Sequence, residues 1–481
     1  MARLVVVSNR VGVPKSGGRA GGLEVAIRAA LKRHPGLWFG WSGEIAVNGE
    51  VRTETVQADK ISYVVTDLPK EDHDGYYNGF ANRVLWPILH YRLDLAEFSR
   101  VDLGGYMRVN EHFAAELHKV LLPDDMIWVH DYHLFPFARA LRDRGHSNKI
   151  GFFLHTPFPP PEIITALPHH ERIVSALCQY DLVGFQTETD AANFARYVET
   201  ECRLKLEGER TFTVGDRSMR IGVFPVGVET AAFSRLARQA IRSAFVQDVL
   251  TSLSGRAMII GVDRLDYSKG IDLRMLAFER FLAANPEWQG NVTYLQITPK
   301  SRTAIQEYAT LAQQVSAAAG RINGTYGEAS WTPIRYVNRQ HSRTALAGLY
   351  RAARAALVTP LRDGMNLVAK EYVTSQDAED PGVLILSRFA GAAVECKPAL
   401  LVNPYDLDAV GAAILRALSM PQSERRARHE ALMMVLSAND IQDWPEKFLG
   451  ELMAPEASEN SILTLPGTPR TGANIVPLRS A

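Results

Sequence analysis

The chain has 481 residues with 53 Lys and Arg against 53 Asp and Glu, so overall charge gives no reason to expect nucleic acid or a membrane surface as partner. That length exceeds what one hydrophobic core serves and fits two domains of about 200 residues each. Three cysteines, Cys178, Cys202 and Cys396, stand far apart without a CxxC pair, which argues against a disulfide framework, a zinc ribbon or an iron–sulfur site and suits a reducing compartment.

In chain order, the first apolar run (LVVVSNR, 4–10) is too short for a signal peptide. No window approaches the ~18 apolar residues of a membrane span. A cytoplasmic protein is the expectation. Further runs follow at 127–133, 149–158, 181–187, 258–270, 292–302, 355–364, 383–389 and 399–406. Continuous rather than alternating hydrophobicity predicts strands buried on both faces, as in a parallel sheet covered by helices. Segments of helical period lie between them, at 22–33, 111–122, 135–144, 189–200, 303–319, 343–354 and 406–419. The alternation predicts an α/β fold of two doubly wound domains, 1–229 and 230–455, joined after a strand at 220–229. Residues 456–481, rich in Pro, Ser, Thr, Gly and Asn, read as a disordered tail.

Polar clusters fall where the strands end: Ser8-Asn9-Arg10, His130-Asp131, His155, Arg264 to Lys269, Lys300 to Arg302, and Arg362-Asp363. Open α/β sheets bind ligands beyond those ends, and two facing sheets would share one crevice. Arg264 and Lys269, five residues apart on a strand-to-helix loop, suit the clasping of a diphosphate; a solvated loop pairing with Asp263 and Asp266 is the plainer alternative. Gly21-Gly22 before a helix lets backbone approach a phosphate, or is simply a turn. No GxxxxGK[ST] occurs and no GxGxxG follows the first strand, which counts against P-loop and dinucleotide-binding proteins. His130 and His133 would face opposite sides of a continuing strand, so a metal is not expected, and Asp131 is better used on sugar hydroxyls. His155 fits the same role or that of a core histidine. In the 362–371 stretch, Asp363-Gly364 makes a tight turn before a helix whose first N–H groups can face an anion. Glu371 there can reach a ribose, whereas a surface Lys370-Glu371 pair is the plain reading. Trp38, Trp41, Tyr76, Tyr77 and Trp86 offer faces for sugar rings, or fill the core.

These clusters, in this order, resemble the retaining trehalose-6-phosphate synthases. The matching motifs are VVVSNR, AGGL, WFGWSG, GYYNGFANRVLWP, HYRLDL, WVHDYHL, FFLHTPFPPPEI, DRLDYSKG, AGRINGTYG, VTPLRDGMNLVAKEYV, SRFAGAA and NPYD, spanning residues 3 to about 450. The resemblance implies two Rossmann-like domains facing each other across a cleft (the GT-B arrangement), with no metal; no cofactor and a homo-oligomer are the further expectations. It implies transfer of glucose from UDP-glucose to glucose 6-phosphate. On matching positions, Arg264 and Lys269 would hold the diphosphate, and Gly21 and Gly22 would approach the donor. Leu367, Val368, Ala369, Lys370 and Glu371 would bind the nucleotide, with His341 nearby. Asp363 and His155 would bind the transferred glucose. Arg10, Trp41, Tyr77, Trp86 and Arg302 would hold the acceptor phosphate side, and Asp131 the acceptor sugar, with Trp86 and Thr156 setting selectivity.

Three positions depart from the family pattern: Thr156 where isoleucine is usual, His341 where some relatives have another aromatic, and 394–397 (VECK), which keeps only Glu395. Thr156 leaves open a sister synthase acting on another acceptor, such as glycerol 3-phosphate. A catalytically silent sugar-phosphate-binding subunit is a further alternative, opposed by the joint presence of Arg10, Arg264, Lys269, Asp363 and Glu371. A Rossmann dehydrogenase comes last, for want of a fingerprint.

Overall fold

Near-continuous runs of Val, Ile, Leu and Phe become fully buried strands in the computed structural model, which describes residues 3–13, 22–34, 36–58, 60–208, 210–301 and 305–455. Gly21, Arg302 and the segment 456–481 lie outside the described residues. Leu4–Arg10, Met126–His130, Ile150–Phe153 and Leu182–Phe185 pair in parallel at the centre of a ten-stranded sheet. Gly36–Ile45, Ile61–Leu68 and Thr53–Ala58 continue one side of it; Arg217–Val223, Thr211–Val214 and Leu206–Glu207 continue the other. The strand foreseen at 220–229 thus begins earlier and ends at Val223.

A second, wholly parallel sheet carries six strands in the order Ile334–Val337, Val292–Ile297, Ala257–Val262, Ala355–Val358, Val383–Ser387, Leu400–Val402. Numbered along the chain this is 3-2-1-4-5-6, the doubly wound Rossmann order, with its switch point between Ala257–Val262 and Ala355–Val358. In the first sheet the chain order likewise reverses about Leu4–Arg10, whose neighbours are Gly36–Ile45 and Met126–His130. Each switch point is a predicted ligand crevice.

Helices begin where the sequence supplies caps. Ser99 accepts from the Asp102 amide, Thr187 from Asp190, Ser342 from Ala345 and Asp406 from Ala409. Arg100–His118, a helix starting well before the periodic segment 111–122, packs on Asp74–Leu85, which winds as a π-helix. Gly75 and Gly105 allow their backbones to approach so closely that a Cβ on either would be crowded by the other. The last described helix, Asp443–Met453, leaves the second unit and lies on the first sheet, where Trp444 and Phe448 pack on Trp128 and Phe153. Burial of those aromatics, each worth roughly 1.5–3 kcal/mol, fastens the two sheets to one another.

Candidate functional site

The two switch points open into one cleft. It holds about 430 Å³ and is lined by His155, Gln186 and Val226 from the first unit and by Asp263, Arg264, Lys269, Asp363, Asn366, Leu367, Val368 and Glu371 from the second. That volume lies within the roughly 300–1,000 Å³ of small-molecule sites. A larger groove of about 740 Å³ lies elsewhere, but its charges pair with each other, Arg351 with Asp377 and Arg426 with Glu379, and no strand end feeds it.

After Val262 the chain turns through Asp266, whose carboxylate accepts from the Ser268 amide at 3.0 Å, and enters the helix Ile271–Ala284 at Gly270. Gly270 has φ +59°, and a Cβ there would press on Leu361 and the Thr359 carbonyl, so glycine is required. Arg274 locks this loop to its neighbour. Wholly buried, it donates to Asp263 at 2.7 Å, Thr359 Oγ1 at 2.9 Å and the Lys269 carbonyl at 3.2 Å. The plain alternative for Asp263 and Asp266 is thereby answered: neither pairs with Arg264 or Lys269. Arg264 is exposed, its guanidinium 5.7 Å from the Trp86 ring centre across the cleft. Lys269 is buried, and its ammonium forms an ion pair with Asp363. Burial pushes the Asp363 carboxyl up, but the Lys269 charge and hydrogen bond, with smaller help from His90 and Asn366, together hold the group below the usual carboxylate range.

Asn366, with φ +73°, caps the helix Leu367–Ser375. Its Oδ1 accepts from the Ala369 amide at 3.3 Å while its Nδ2 donates to Asp363 at 3.0 Å. The open amides at this helix start are therefore those of Leu367 and Val368, and Ala369 is excluded as an amide donor to a ligand. Lys370 is a second correction. A surface pair with Glu371 was one expectation and nucleotide contact the other, yet its side chain is wholly buried and pointed away from the cleft. It donates to the Val226 carbonyl at 2.7 Å and pairs with Glu395 at 2.5 Å. The helical period explains it: residues 370 and 371 are about 100° apart. Glu395, the surviving family residue in its segment, is thus a structural partner, also held by Asn439 at 2.8 Å. Glu371 does face the cleft, its carboxylate without a hydrogen-bond partner among the described residues, and burial pushes it up to about 7 against the pull of Arg343. His341 is not brought to the cleft lining; its ring packs 5.3 Å from Phe245.

On the other side, Arg10 is exposed at the end of its strand with its guanidinium 5.6 Å from the Trp41 ring centre. Trp41, His73, Tyr77 and His133 form a continuous aromatic stack, with centres 4.8 Å, 5.6 Å and 5.8 Å apart. The strand ends at His130, so His133 enters this stack from a short 3-10 turn, Tyr132–Leu134, rather than from an extended strand. Trp86 stacks 4.0 Å from His90 and donates to Asp266 at 3.4 Å, linking the two units. Asp131 sits at φ +77°, unusual for a non-glycine residue, with one carboxylate oxygen 3.4 Å from the His155 amide. Gly364 packs so tightly on the His155 carbonyl that any side chain there would part the two units. Thr156 is buried, its hydroxyl without a partner among the described residues.

Sequence reasoning missed Gln186, Arg274 and Asn366. An arginine amid the apolar positions of helix 271–284 and an Asn one residue before a helical period were the available signals for the last two. Gln186, which accepts from the Val226 amide at 3.0 Å, gave none.

Two Rossmann-type sheets with cations and open helix amides across a common cleft define a two-domain glycosyltransferase. The chain belongs to glycosyltransferase family 20, whose model matches residues 11–454. A trehalose-6-phosphate synthase of Sinorhizobium fredii is 51% identical over 94% of this chain and 99% of its own. A UDP-forming α,α-trehalose-phosphate synthase of Burkholderia xenovorans, solved in complex with glucose-6-phosphate, superposes with TM-score 0.91 at 44% identity, covering 94% of this chain and 100% of that one. An E. coli structure described as trehalose-6-phosphate bound with UDP-2-fluoro glucose gives TM-score 0.89 at 46% identity, covering 94% and 99%.

Proposed function

We propose that this chain transfers glucose from UDP-glucose to glucose 6-phosphate, forming α,α-trehalose 6-phosphate with retention at the anomeric carbon. The observation that carries the reading is the single cleft with unlike ends. At one end stand Arg264, Lys269, the open amides of Leu367 and Val368, and Glu371, a set suited to diphosphate and ribose. Beyond that lining, and reached through the contact of Arg264 with Trp86, stand Arg10, whose guanidinium has no ion-pair partner among the described residues, and the neighbouring rings of Trp41 and Tyr77, suited to a sugar phosphate. Asp363 and His155 lie between them and take the transferred glucose; Asp131 takes the acceptor sugar. The acceptor hydroxyl attacks from the face the nucleotide leaves and passes its proton to the departing phosphate oxygen. Arg264, Lys269 and the helix amides stabilise the charge growing there. Closure of the units aligns the two sugars and excludes water.

Division of the chain into an acceptor unit, 1–229, and a donor unit, 230–455, fits this reading, with the helix Asp443–Met453 crossing back to brace the first. A panel of UDP-, ADP- and GDP-glucose against glucose 6-phosphate, glucose and glycerol 3-phosphate tests it. The expected best pair is UDP-glucose with glucose 6-phosphate. Preference for glycerol 3-phosphate would hand Thr156 the decisive role and overturn the acceptor assignment.

A further inference from the structure

His130 occupies the last position of its strand, 0% exposed, behind a residue that faces the cleft. Its Nδ1 lies 3.2 Å from Nε2 of His155, and its own Nε2 is buried with no hydrogen-bond partner among the described residues. Trp128, two residues earlier on the same strand face, has its ring centre 4.4 Å from that of His130, and its indole N–H is also buried without a partner among them. Trp444 closes the far side, 6.1 Å from His130 and 5.9 Å from His155. Burial depresses both imidazoles, His155 to about 3, so each ring is neutral and carries one proton.

We propose that His130 is a positioning residue that fixes His155 in the tautomer with its proton on Nδ1, so that His155 offers the sugar in the cleft a hydrogen-bond donor. The proposal rests on the reading of His155 as a contact of the transferred glucose. Two neutral rings joined by one N–H···N bond have two arrangements. In the first, His130 Nδ1–H donates to His155 Nε2, and His130 Nε2 is a bare lone pair. In the second, His155 Nε2–H donates to His130 Nδ1, and His130 keeps a buried N–H on Nε2. The second leaves two orphan donors side by side, that N–H and the indole N–H of Trp128. Buried donors without acceptors are costlier and rarer than unused lone pairs. The first arrangement leaves only the indole N–H as an orphan donor, next to a ring nitrogen that carries a lone pair. Polarity then runs one way, from His130 to His155.

The cleft side follows. With Nε2 of His155 engaged, Nδ1 is its remaining polar atom, and it has no protein partner among the described residues although the ring lines the cleft. A neutral Nδ1–H donates to a hydroxyl oxygen and cannot serve as a base. His155 therefore holds the glucose in place and takes no proton during transfer.

The test uses the full chain with ¹⁵N-labelled histidine, long-range ¹H–¹⁵N correlation spectra, and His155→Gln to assign the His155 signals. Wild type is expected to show His155 protonated on Nδ1. In His130→Asn, whose side-chain amide can replace the Nδ1–H donor, that tautomer should persist. In His130→Phe it should be lost, and kcat/KM with UDP-glucose and glucose 6-phosphate should fall about tenfold, the worth of one net hydrogen bond, with His130→Asn recovering most of it. An Nε2–H tautomer of His155 in wild type, including one with His130 Nε2–H turned onto an indole face, overturns the proposal. So does equal turnover in folded Asn and Phe variants. Should His130→Phe fail to fold, the wild-type and His130→Asn spectra still decide. A wild-type chain with the Nδ1–H tautomer but no glucose transfer upholds the relay and instead refutes the functional reading.

Discussion

The two walls of the cleft solve the problem of placing charge in different ways. On the wall from the second unit three buried ion pairs are matched inside the protein, Lys269 with Asp363, Arg274 with Asp263 and Lys370 with Glu395, while Glu371 faces the cleft unpaired among the described residues. On the wall from the first unit the cation Arg10 stands exposed above Trp41, and the imidazoles His90 and His130, whose protonation burial disfavours, and the buried ring of His133 pack among aromatics. A buried ion pair gains little net stability, but loss of one partner is severe. The donor wall is thus a set rigid frame whose charges are interdependent. The acceptor wall is a shaped surface with one cation available to a newcomer. Trp86 is one of the residues that join the two, through Arg264 and Asp266.

The contrast breaks most visibly at Lys370. Lys370→Met strands Glu395 in the interior and should cost about 3–5 kcal/mol of stability, read by denaturant unfolding. Glu395→Gln in the same chain should restore most of it, and the donor KM of the double variant should stay near wild type, since neither side chain reaches the cleft. A large KM rise in the stable double variant would return Lys370 to the nucleotide site.

Lys269→Ala should lower kcat on the order of 10²–10³-fold, as the loss of one preorganised donor to a developing anion does. It also frees the Asp363 carboxyl to rise, because burial is then opposed only by the weaker effects of His90 and Asn366. Near-normal turnover in Lys269→Ala would end the diphosphate assignment. On the opposite wall, Arg10→Ala should leave the fold intact and reduce preference for glucose 6-phosphate over glucose by about 10–150-fold, equivalent to the 1.5–3 kcal/mol of a charge-assisted bond. Steady-state kinetics with both acceptors reads this directly.

The smallest effect concerns Glu371 and sharpens the comparison through pH. Its folded value, about 7, lies above the ordinary value of about 4.3. Between those values the folded chain holds a proton that the unfolded chain releases, so stability falls as pH rises through that window and the penalty is complete above about 7. Glu371→Gln removes the penalty. It should gain roughly 1–3 kcal/mol over wild type at pH 8 and little at pH 4, seen as a difference in Tm that grows with pH. Wild-type donor KM should fall between pH 6 and pH 8 as the carboxylate ionises toward ribose hydroxyls, and the Gln variant should lose that dependence.

Both sheets could be read in the sequence, because strands buried on two faces write long apolar runs and their polar ends mark the crevice. That rule points to Arg264, Lys269, Asp363 and His155, which line one cleft, and equally to Arg10 and Lys300, which are not in its lining. What the rule could not see was direction around a helix and partnership across the chain. Lys370 adjoins Glu371 in sequence but turns to Glu395, and Ala369 loses its amide to Asn366. Nor does any periodicity announce the π-helix Asp74–Leu85, whose Gly75 approaches the distant Gly105. The pairing of His130 with His155 was invisible for the same reason: 25 residues separate two rings that meet only when parallel neighbouring strands align.

The central claim is same-face transfer between the unlike ends of this cleft. The most direct measurement follows UDP-[1-¹³C]glucose and glucose 6-phosphate by NMR as the reaction proceeds. The account predicts an α-linked disaccharide phosphate with the label at the anomeric carbon of the unphosphorylated ring, present from the first turnover. A β-linked first product, or label released as free glucose with glucose 6-phosphate unchanged, would contradict it.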